Sequence, residues 1–254
     1  MSDALIGYTG FVGGAILRSR SFDACYRSTD IDTIRHRRFE LVVCSGAPAE
    51  KWRANRDPDE DRARLATLTE ALADVTAEHF VLISTIDVYP HPGGVDEGTQ
   101  IDAAAGQPYG RHRLELEDFC RTRFDTTVVR LPGLYGSGLK KNAVFDLLHD
   151  RPVDAIAGNA RFQFYDVDRV WPDVERVLGA GIGVANITAE PVAMSEIAAR
   201  VFNRTLPTPW SDTAPSYDVR SRHAQLVGGD NGYWFDAGAV IAGLQRFVAR
   251  ERGP

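Results

Sequence analysis

The sequence predicts an α/β fold built on a doubly wound parallel sheet, and three observations support this. Short apolar runs alternate with helical segments throughout the first half of the chain. A glycine-rich turn joins the first apolar run to the first helix, and small or polar residues follow the later strands. We therefore expect a Rossmann-like sheet over residues 1–136, which segments around 160–190 could join, and a small C-terminal substrate lobe over residues 137–254.

The first element is an apolar strand at residues 3–6, which runs into glycines at 7, 10 and 13 before a helix. Glycine allows a tight turn and close approach of a phosphate, and a helix N-terminus favours anions. The alternative is a plain strand-to-helix turn, because glycine triplets occur in many loops. The spacing and the N-terminal position predict a dinucleotide site formed by Gly7, Thr9, Gly10, Phe11, Val12 and Gly13.

The second predicted strand, residues 22–27, ends at Arg27 and Ser28, where the adenosine ribose of a dinucleotide would lie. An acidic residue there binds a ribose 2′-hydroxyl, whereas an arginine can pair with a 2′-phosphate. Arg27 therefore favours NADP over NAD as the cofactor. An ordinary solvated surface arginine is the alternative.

Three further strands are predicted at residues 41–44, 80–83 and 127–131. Ligands bind at the carboxyl ends of such strands. The residues that follow the first and third of these strands are candidate cofactor contacts, namely Ser45, Gly46, Ala47 and Pro132. The strand at 80–83 leads to Thr85 and Asp87.

Two helices with buried stripes complete the first half. Asp57 is predicted to cap a helix whose leading acids stabilise the helix dipole at the surface; a metal cluster is the less favoured interpretation. The apolar stripe of this helix comprises Leu65, Leu68 and Leu72. Tyr109 is predicted to open the next helix, which carries Arg113, Leu116 and Cys120 on one face.

The second half is predicted to alternate less regularly. Asn142 is expected to cap a helix, Ser195 is expected to cap another that runs to residue 202, and residues 206–215 form a loop. Strands are expected at 162–165 and 184–187, with a helix at 168–178 between them. The final helix should bury Val240, Ile241, Leu244, Phe247 and Val248.

Charge and composition exclude several classes of partner. The formal net charge is -6 over 254 residues, and no basic patch suited to nucleic acid is present. No apolar run reaches about 18 residues, so we expect a cytosolic protein without a membrane partner. Cys25, Cys44 and Cys120 are expected to be reduced core thiols, and no metal site is expected. The expected partner is a small-molecule substrate, with a homodimer left open.

Several motifs, in this order, make the chain resemble the extended short-chain dehydrogenase/reductases, which include the NAD-dependent epimerases and dehydratases of nucleotide sugars. The short connection between the second strand and residue 41 looks more like the dehydrorhamnose-reductase branch than like the epimerases. The motifs are Thr9-Gly10-Phe11-Val12-Gly13-Gly14, Ser84-Thr85-x-x-Val88-Tyr89, Pro108-Tyr109-Gly110, Arg130-Leu131-Pro132-Gly133-Leu134-Tyr135-Gly136, Asp166-Val167-Asp168, Asn186-Ile187 and Tyr217-Asp218-Val219-Arg220.

The resemblance implies a catalytic set of Thr85, Tyr109 and Arg113. Tyr109 would be the general acid or base, and Thr85 would orient the substrate oxygen. The family has lysine where this chain has Arg113, and that lysine binds the nicotinamide ribose and lowers the tyrosine pKa. Arginine keeps the charge but not the geometry, and Arg113 could instead pair with Glu117 one turn on. A rate gain in Arg113→Lys would show that arginine is an impairment.

The resemblance also bears on the reaction. Related sugar dehydratases follow their threonine with two acids, whereas Ile86 and Asp87 follow Thr85 here, so elimination is disfavoured. We expect an NAD(P)-dependent oxidoreductase acting on a carbonyl or hydroxyl of a sugar-like substrate, free or nucleotide-linked. The alternatives are a nucleotide-sugar epimerase and a non-catalytic NAD(P)-binding sensor. Candidate substrate contacts, against the alternative of solvated surface groups, are Asp87, Lys140, Lys141, Arg161 and Tyr165.

Overall fold

The computed structural model of the chain describes residues 2–253, which contain eight α-helices and twelve β-strands. The helices are α1 Phe11–Ser19, α2 Lys51–Arg56, α3 Pro58–Ala73, α4 Pro108–Arg123, α5 Ala143–Leu148, α6 Val170–Gly179, α7 Met194–Phe202 and α8 Ala237–Arg252. The strands are β1 Asp3–Ile6, β2 Ala24–Tyr26, β3 Arg38–Cys44, β4 Thr76–Thr85, β5 Gly93–Val95, β6 Thr126–Leu131, β7 Gly133–Tyr135, β8 Arg161–Phe162, β9 Phe164–Asp166, β10 Val184–Asn186, β11 Val192–Ala193 and β12 Asp218–Val219.

The chain divides into two compact units. The first unit comprises the residues up to His91 together with Gly98–Leu131 and Asp168–Ala185. The second unit comprises Pro92–Glu97, Pro132–Val167 and the residues from Asn186 onward.

The first unit is built on a six-stranded sheet in the order β10-β6-β4-β3-β1-β2. The pairs β1–β2, β1–β3, β3–β4 and β4–β6 are all parallel. The strand order reverses at β1, because β2 lies on one side of it and β3 on the other. Ligands bind at such a reversal in open α/β sheets. The predicted α/β fold with a Rossmann-like parallel sheet is confirmed.

The register of the sheet aligns the carboxyl ends of its strands. Ile6, the last residue of β1, is the partner of Cys44, the last residue of β3. Thr85, the last residue of β4, is the partner of Leu131, the last residue of β6. Because these pairs are parallel, the residues that follow the strand ends lie along one edge of the sheet.

Helices α3 and α4 bury the predicted apolar stripes against this sheet. Leu65, Leu68 and Leu72 of α3 are buried, as are Leu116 and Cys120 of α4. All five belong to one apolar cluster with residues of the strands. The cluster therefore holds α3 and α4 against the sheet. Cys44 and Cys120 are buried free thiols, as predicted, whereas Cys25 is only half-buried.

The second unit contains short strand pairs and a helical core. Strand β5 pairs with β12 and β7 with β9 in parallel, whereas β8 pairs with β11 in the antiparallel sense. The predicted apolar face of α8 is buried in a cluster with α5 and α7. Asn142 caps α5 as predicted, since its Oδ1 accepts the Phe145 N–H at 3.0 Å.

Element bounds differ from the predictions in several places, and β3 and β4 are longer than predicted. Strand β2 ends at Tyr26 and does not include Arg27, and α2 was not predicted. The single strand expected at 162–165 is two strands, because β8 pairs with β11 and β9 pairs with β7 in a separate sheet. The Gln163 side chain between them binds the backbone. Its Nε2 donates to the carbonyl oxygens of Ala189 and Val219 at 2.6 and 2.8 Å.

Ser195 does not cap α7, so that prediction is wrong. The helix begins at Met194, one residue before it. The N–H groups of Met194 and Ser195 donate to the carbonyl oxygens of Ala160 and Gly158, each at 2.9 Å. Backbone acceptors thus satisfy the first turn in place of a serine hydroxyl. None of the helices in residues 2–253 is long and apolar enough to span a lipid bilayer.

Candidate functional site

The glycine turn after β1 is a close approach of three backbone segments. Gly7 has a φ of +85°, and a Cβ atom there would lie 2.6 Å from the Ser45 carbonyl oxygen. A Cβ atom on Gly13 would lie 2.1 Å from the Gly7 carbonyl oxygen. Only glycine fits at these two positions. The end of β1, the first turn of α1 and the end of β3 therefore pack closely together, with the small Ser45 side chain between them.

The N-terminus of α1 opens directly from this turn. Gly10 precedes the helix and no side chain caps it, so the first N–H groups have no capping acceptor. Thr9 and Gly10 are exposed, and Phe11 and Val12 are half-buried. Uncapped N–H groups and the positive end of a nine-residue helix suit a phosphate. This part of the chain fits the pyrophosphate of a dinucleotide.

The other candidate cofactor residues lie near this turn in the first unit, except Pro132. Arg27 and Ser28 are exposed directly after β2. The Arg27 Nε lies 3.4 Å from Asp30 Oδ2, an ion pair between half-exposed side chains. The Ser45-Gly46-Ala47 turn follows β3, and its three residues are half-buried. The Ser45 hydroxyl donates to the Ile6 carbonyl oxygen at 3.0 Å.

Tyr109 lies in the first turn of α4, next to the end of β4. Tyr109 is 8% exposed, and the Thr85 side chain lies near enough to its hydroxyl to lower the pKa of the phenol. Its N–H donates to Asn55 Oδ1 at 3.0 Å. A Cβ atom on Gly110 would lie 1.9 Å from the Asp87 carbonyl oxygen, so glycine lets α4 touch the turn after β4. This contact brings the Thr85 and Tyr109 hydroxyls together.

Arg113 faces a partner that was not predicted. Both its terminal nitrogens donate to the Asp61 carboxylate of α3, and Nη2 also donates to the Pro48 carbonyl oxygen. Its guanidinium carbon lies 4.2 Å from the centre of the Tyr109 ring. The side chains of Arg113 and Asp61 are only 3% and 5% exposed. Arg113 therefore contributes a buried, already paired charge beside Tyr109.

The alternative pairing of Arg113 with Glu117 is wrong. Glu117 binds Arg130 of β6, whose Nε and Nη2 donate to its two oxygens at 3.0 and 2.6 Å. Glu117 also accepts from the Ser84 hydroxyl at 2.6 Å, and Arg130 donates to the Tyr89 hydroxyl at 2.8 Å. This buried network already holds the Glu117 carboxylate, so Arg113 turns to Asp61.

Asp61 is a site residue that the sequence analysis missed. It was assigned to the exposed acids that stabilise the start of α3, but it is buried and binds Arg113, while His112 Nδ1 lies 2.8 Å from its Oδ2. Burial alone would raise the Asp61 pKa, but these hydrogen bonds outweigh it and the pKa is lowered. A signal was available, since Asp61 lies four residues before Leu65, in register with the buried stripe.

Charges around Tyr109 act on its pKa in both directions. Burial raises the pKa of the Tyr109 phenol, and the positive charges of Arg113 and Lys51 and the nearby Thr85 side chain lower it. The negative charge of Asp87 raises it further, and the net effect is a raised pKa. Lys51 Nζ lies 2.6 Å from Asp87 Oδ1. The phenol is therefore protonated near neutral pH.

The remaining candidate residues belong to the second unit. Pro132 is buried directly after β6, and Lys140 and Lys141 are exposed before α5. Arg161 Nη2 donates to the Pro191 carbonyl oxygen at 2.8 Å. Tyr165 is 1% exposed.

The chain is similar to solved structures along nearly its whole length. MoeE5 in complex with UDP-glucuronic acid and NAD matches with a TM-score of 0.75 and 17% identity over 99% of both chains. The UDP-glucose 4-epimerase of Thermotoga maritima with UDP-glucose matches with a TM-score of 0.73 and 16% identity over 99% of both chains.

A third solved structure adds a reductase to this group. The dTDP-4-dehydrorhamnose reductase of Bacillus anthracis in complex with NADP has a TM-score of 0.72 and 16% identity over 96% of both chains. No protein-family model matches the chain, and no curated protein matches it. At these identities the shared property is the fold, and the chain has the fold of these nucleotide-sugar enzymes.

Proposed function

We propose that the protein is an NAD(P)-dependent oxidoreductase that acts on a carbonyl or hydroxyl of a nucleotide-linked sugar. The placement of Thr85 at the end of β4 and of Tyr109 beside it in the first turn of α4, at the carboxyl edge of the parallel sheet, carries this proposal. The uncapped start of α1 after the glycine turn supports a dinucleotide at the same edge. The solved structures of the same fold hold nucleotide sugars, NAD or NADP.

NAD(P) would supply or accept the hydride, and the N–H groups at the start of α1 with Gly7, Gly10 and Gly13 would hold its pyrophosphate. Tyr109 acts as the proton donor in the reducing direction, because its raised pKa keeps the phenol protonated near neutral pH. The phenol proton passes to the carbonyl oxygen of the substrate, and the phenolate then regains a proton from solvent. Thr85 orients that oxygen through its hydroxyl.

Arg27 supports NADP as the preferred cofactor. Its ion pair with Asp30 is exposed and therefore weak, so the guanidinium can turn to a 2′-phosphate. Arg27→Ala should reduce NADPH affinity about tenfold and leave NADH affinity within about twofold. Equal loss for both cofactors would contradict a 2′-phosphate contact.

The decisive experiment titrates the protein with NADPH and NADH and then screens UDP- and dTDP-sugars for cofactor oxidation. Tyr109→Phe should bind cofactor as the wild type does and lose about 10²- to 10⁴-fold in kcat. Wild-type turnover in Tyr109→Phe would remove Tyr109 from the mechanism. Cofactor recovered unchanged with an epimerised sugar would favour the epimerase.

A non-catalytic NAD(P)-binding sensor is the second candidate, and the environment of Arg113 favours it. Asp61 and Pro48 accept both N–H groups of Arg113 Nη2 and one N–H group of Nη1, so three of its five donors are already used within the protein. A sensor binds cofactor with no turnover of any nucleotide sugar. The same screen therefore separates the two functions.

A further inference from the structure

Helix α2 lies against the start of α4, where Tyr109 is found. Lys51 and Asn55 are four residues apart and share one face of α2. The Asn55 side chain accepts the Tyr109 N–H at 3.0 Å and donates to Gln107 Oε1 at 2.7 Å. The face of α2 that carries Lys51 therefore points to the first turn of α4.

Lys51 is connected to the Tyr109 hydroxyl by a short series of contacts. Its Nζ donates to Asp87 Oδ1 at 2.6 Å, and the Asp87 N–H donates to Thr85 Oγ1 at 3.1 Å. The Thr85 side chain lies near enough to the Tyr109 hydroxyl to lower its pKa. The Lys51 and Asp87 side chains are 44% and 20% exposed, whereas Tyr109 is buried. An ammonium and a carboxylate thus stand at the solvent side of a buried phenol.

The charged groups around Tyr109 come from four elements. Arg113 on α4 is paired with Asp61 on α3, which also contacts His112. Lys51 on α2 is paired with Asp87 in the turn after β4. Arg113 has the largest electrostatic effect on the Tyr109 pKa, and Asp87 and Lys51 follow it with effects of opposite sign. The Lys51–Asp87 pair is therefore a second influence on the phenol, in which the ammonium opposes the carboxylate.

We propose that Lys51 is a positioning residue for Tyr109: its ammonium offsets the Asp87 carboxylate and so allows the phenol to release its proton. Without Lys51, the Asp87 charge would oppose a phenolate in a buried site, where charges interact strongly. The opposite effects of Lys51 and Asp87 on the Tyr109 pKa agree with this role. Only the consequence for turnover rests on the proposed oxidoreductase function.

The test measures the ionisation of Tyr109 by tyrosinate absorbance, without cofactor or substrate. The spectrum of each variant is compared with that of the same variant carrying Tyr109→Phe, which isolates one phenol among eight tyrosines. Lys51→Met should shift the Tyr109 titration to higher pH. Adding Asp87→Asn to Lys51→Met should return it towards the wild-type position, and Lys51→Arg should keep it there.

Arg56→Met is the matched control, because Arg56 ends the same helix and is exposed. It removes one positive charge from α2 without removing a partner of Asp87, so the Tyr109 titration should not move. Equal titrations in wild type and Lys51→Met, an equal shift in Arg56→Met, or no Tyr109 ionisation in any of these chains would overturn the proposal.

Turnover provides the second readout. If the enzyme reduces a nucleotide sugar, Lys51→Met should lower kcat by up to about tenfold for each unit of pKa shift and move the pH profile the same way, with KM nearly unchanged. Absence of turnover in the wild type would contradict the proposed function. The absorbance titration would still decide the role of Lys51.

Discussion

Replacing Asp61 should destabilise the protein far more than expected for one of the surface acids that the sequence predicted at the start of α3. Asp61→Asn keeps the size of the side chain but leaves the Arg113 guanidinium, 3% exposed, without a counter-charge. Removing one partner of a buried ion pair costs about 3–5 kcal/mol of unfolding free energy. For a chain of this size, that corresponds to a fall in Tm of roughly 6–20 °C.

A second ion pair between α3 and α4 provides the control. Arg62 Nη2 lies 3.1 Å from Glu115 Oε1, and these side chains are 57% and 50% exposed. Glu115→Gln should therefore cost less than about 1 kcal/mol. Urea unfolding of both variants measures the difference, and an Asp61→Asn cost no larger than that of Glu115→Gln would refute the reasoning.

The double variant Asp61→Leu with Arg113→Met extends the test. Replacing both partners of a buried pair by apolar groups is often close to neutral. The double variant should therefore unfold at a higher urea concentration than Asp61→Asn. If the double variant loses as much unfolding free energy as Asp61→Leu and Arg113→Met lose separately when added together, Asp61 and Arg113 are not energetically coupled.

Three further predictions follow from the same contacts. Arg113→Lys should lower the free energy of unfolding in urea by about 1–3 kcal/mol and gain no activity. One ammonium cannot bind both the Asp61 carboxylate and a backbone carbonyl as the guanidinium does. A faster enzyme would contradict this prediction. Gly13→Ala should abolish NADPH binding in a fluorescence titration, since its Cβ would lie 2.1 Å from a carbonyl oxygen. The control is Gly14→Ala, whose Cβ would lie 3.6 Å from its nearest atom. It should bind NADPH normally and raise the free energy of unfolding by up to about 1 kcal/mol. The lowered pKa of Asp61 contributes stability that is present above the unfolded pKa of about 4 and is lost as the pH falls through the folded pKa. In this pH range, the urea midpoint of Asp61→Asn should therefore depend less on pH than that of the wild type.

The turns and caps of the chain could be predicted because they depend on neighbouring residues. The Gly7 turn requires a positive φ that glycine adopts readily. Asp57 caps α3 as predicted, because its Oδ1 accepts the N–H of Glu60, three residues later, at 3.2 Å. Asn142 does the same for α5. Ser195 failed as a cap because backbone carbonyls distant in the sequence satisfied its helix start.

The partners of buried charges could not be predicted from local spacing. Arg113 and Glu117 are one turn apart on α4, which suggested an ion pair. Each instead binds a residue from another element, Asp61 and Arg130, because both charges are buried and need closer, multiple hydrogen bonds. Spacing along a helix describes neighbours on its surface, not the groups packed against it.

The sequence by itself determined the parallel α/β sheet, the glycine turn and the place of Thr85 and Tyr109, because alternating apolar periodicity and backbone-permissive residues act locally. The packing of α2 and α3 against α4 decided the rest. It paired Arg113 with Asp61 and brought Lys51 and Asp87 to the Thr85 and Tyr109 hydroxyls. Arg113 is one turn from Tyr109 on α4, but Asp87 and Lys51 are about 20 and 60 positions away, and only tertiary packing can bring such charges to a buried phenol.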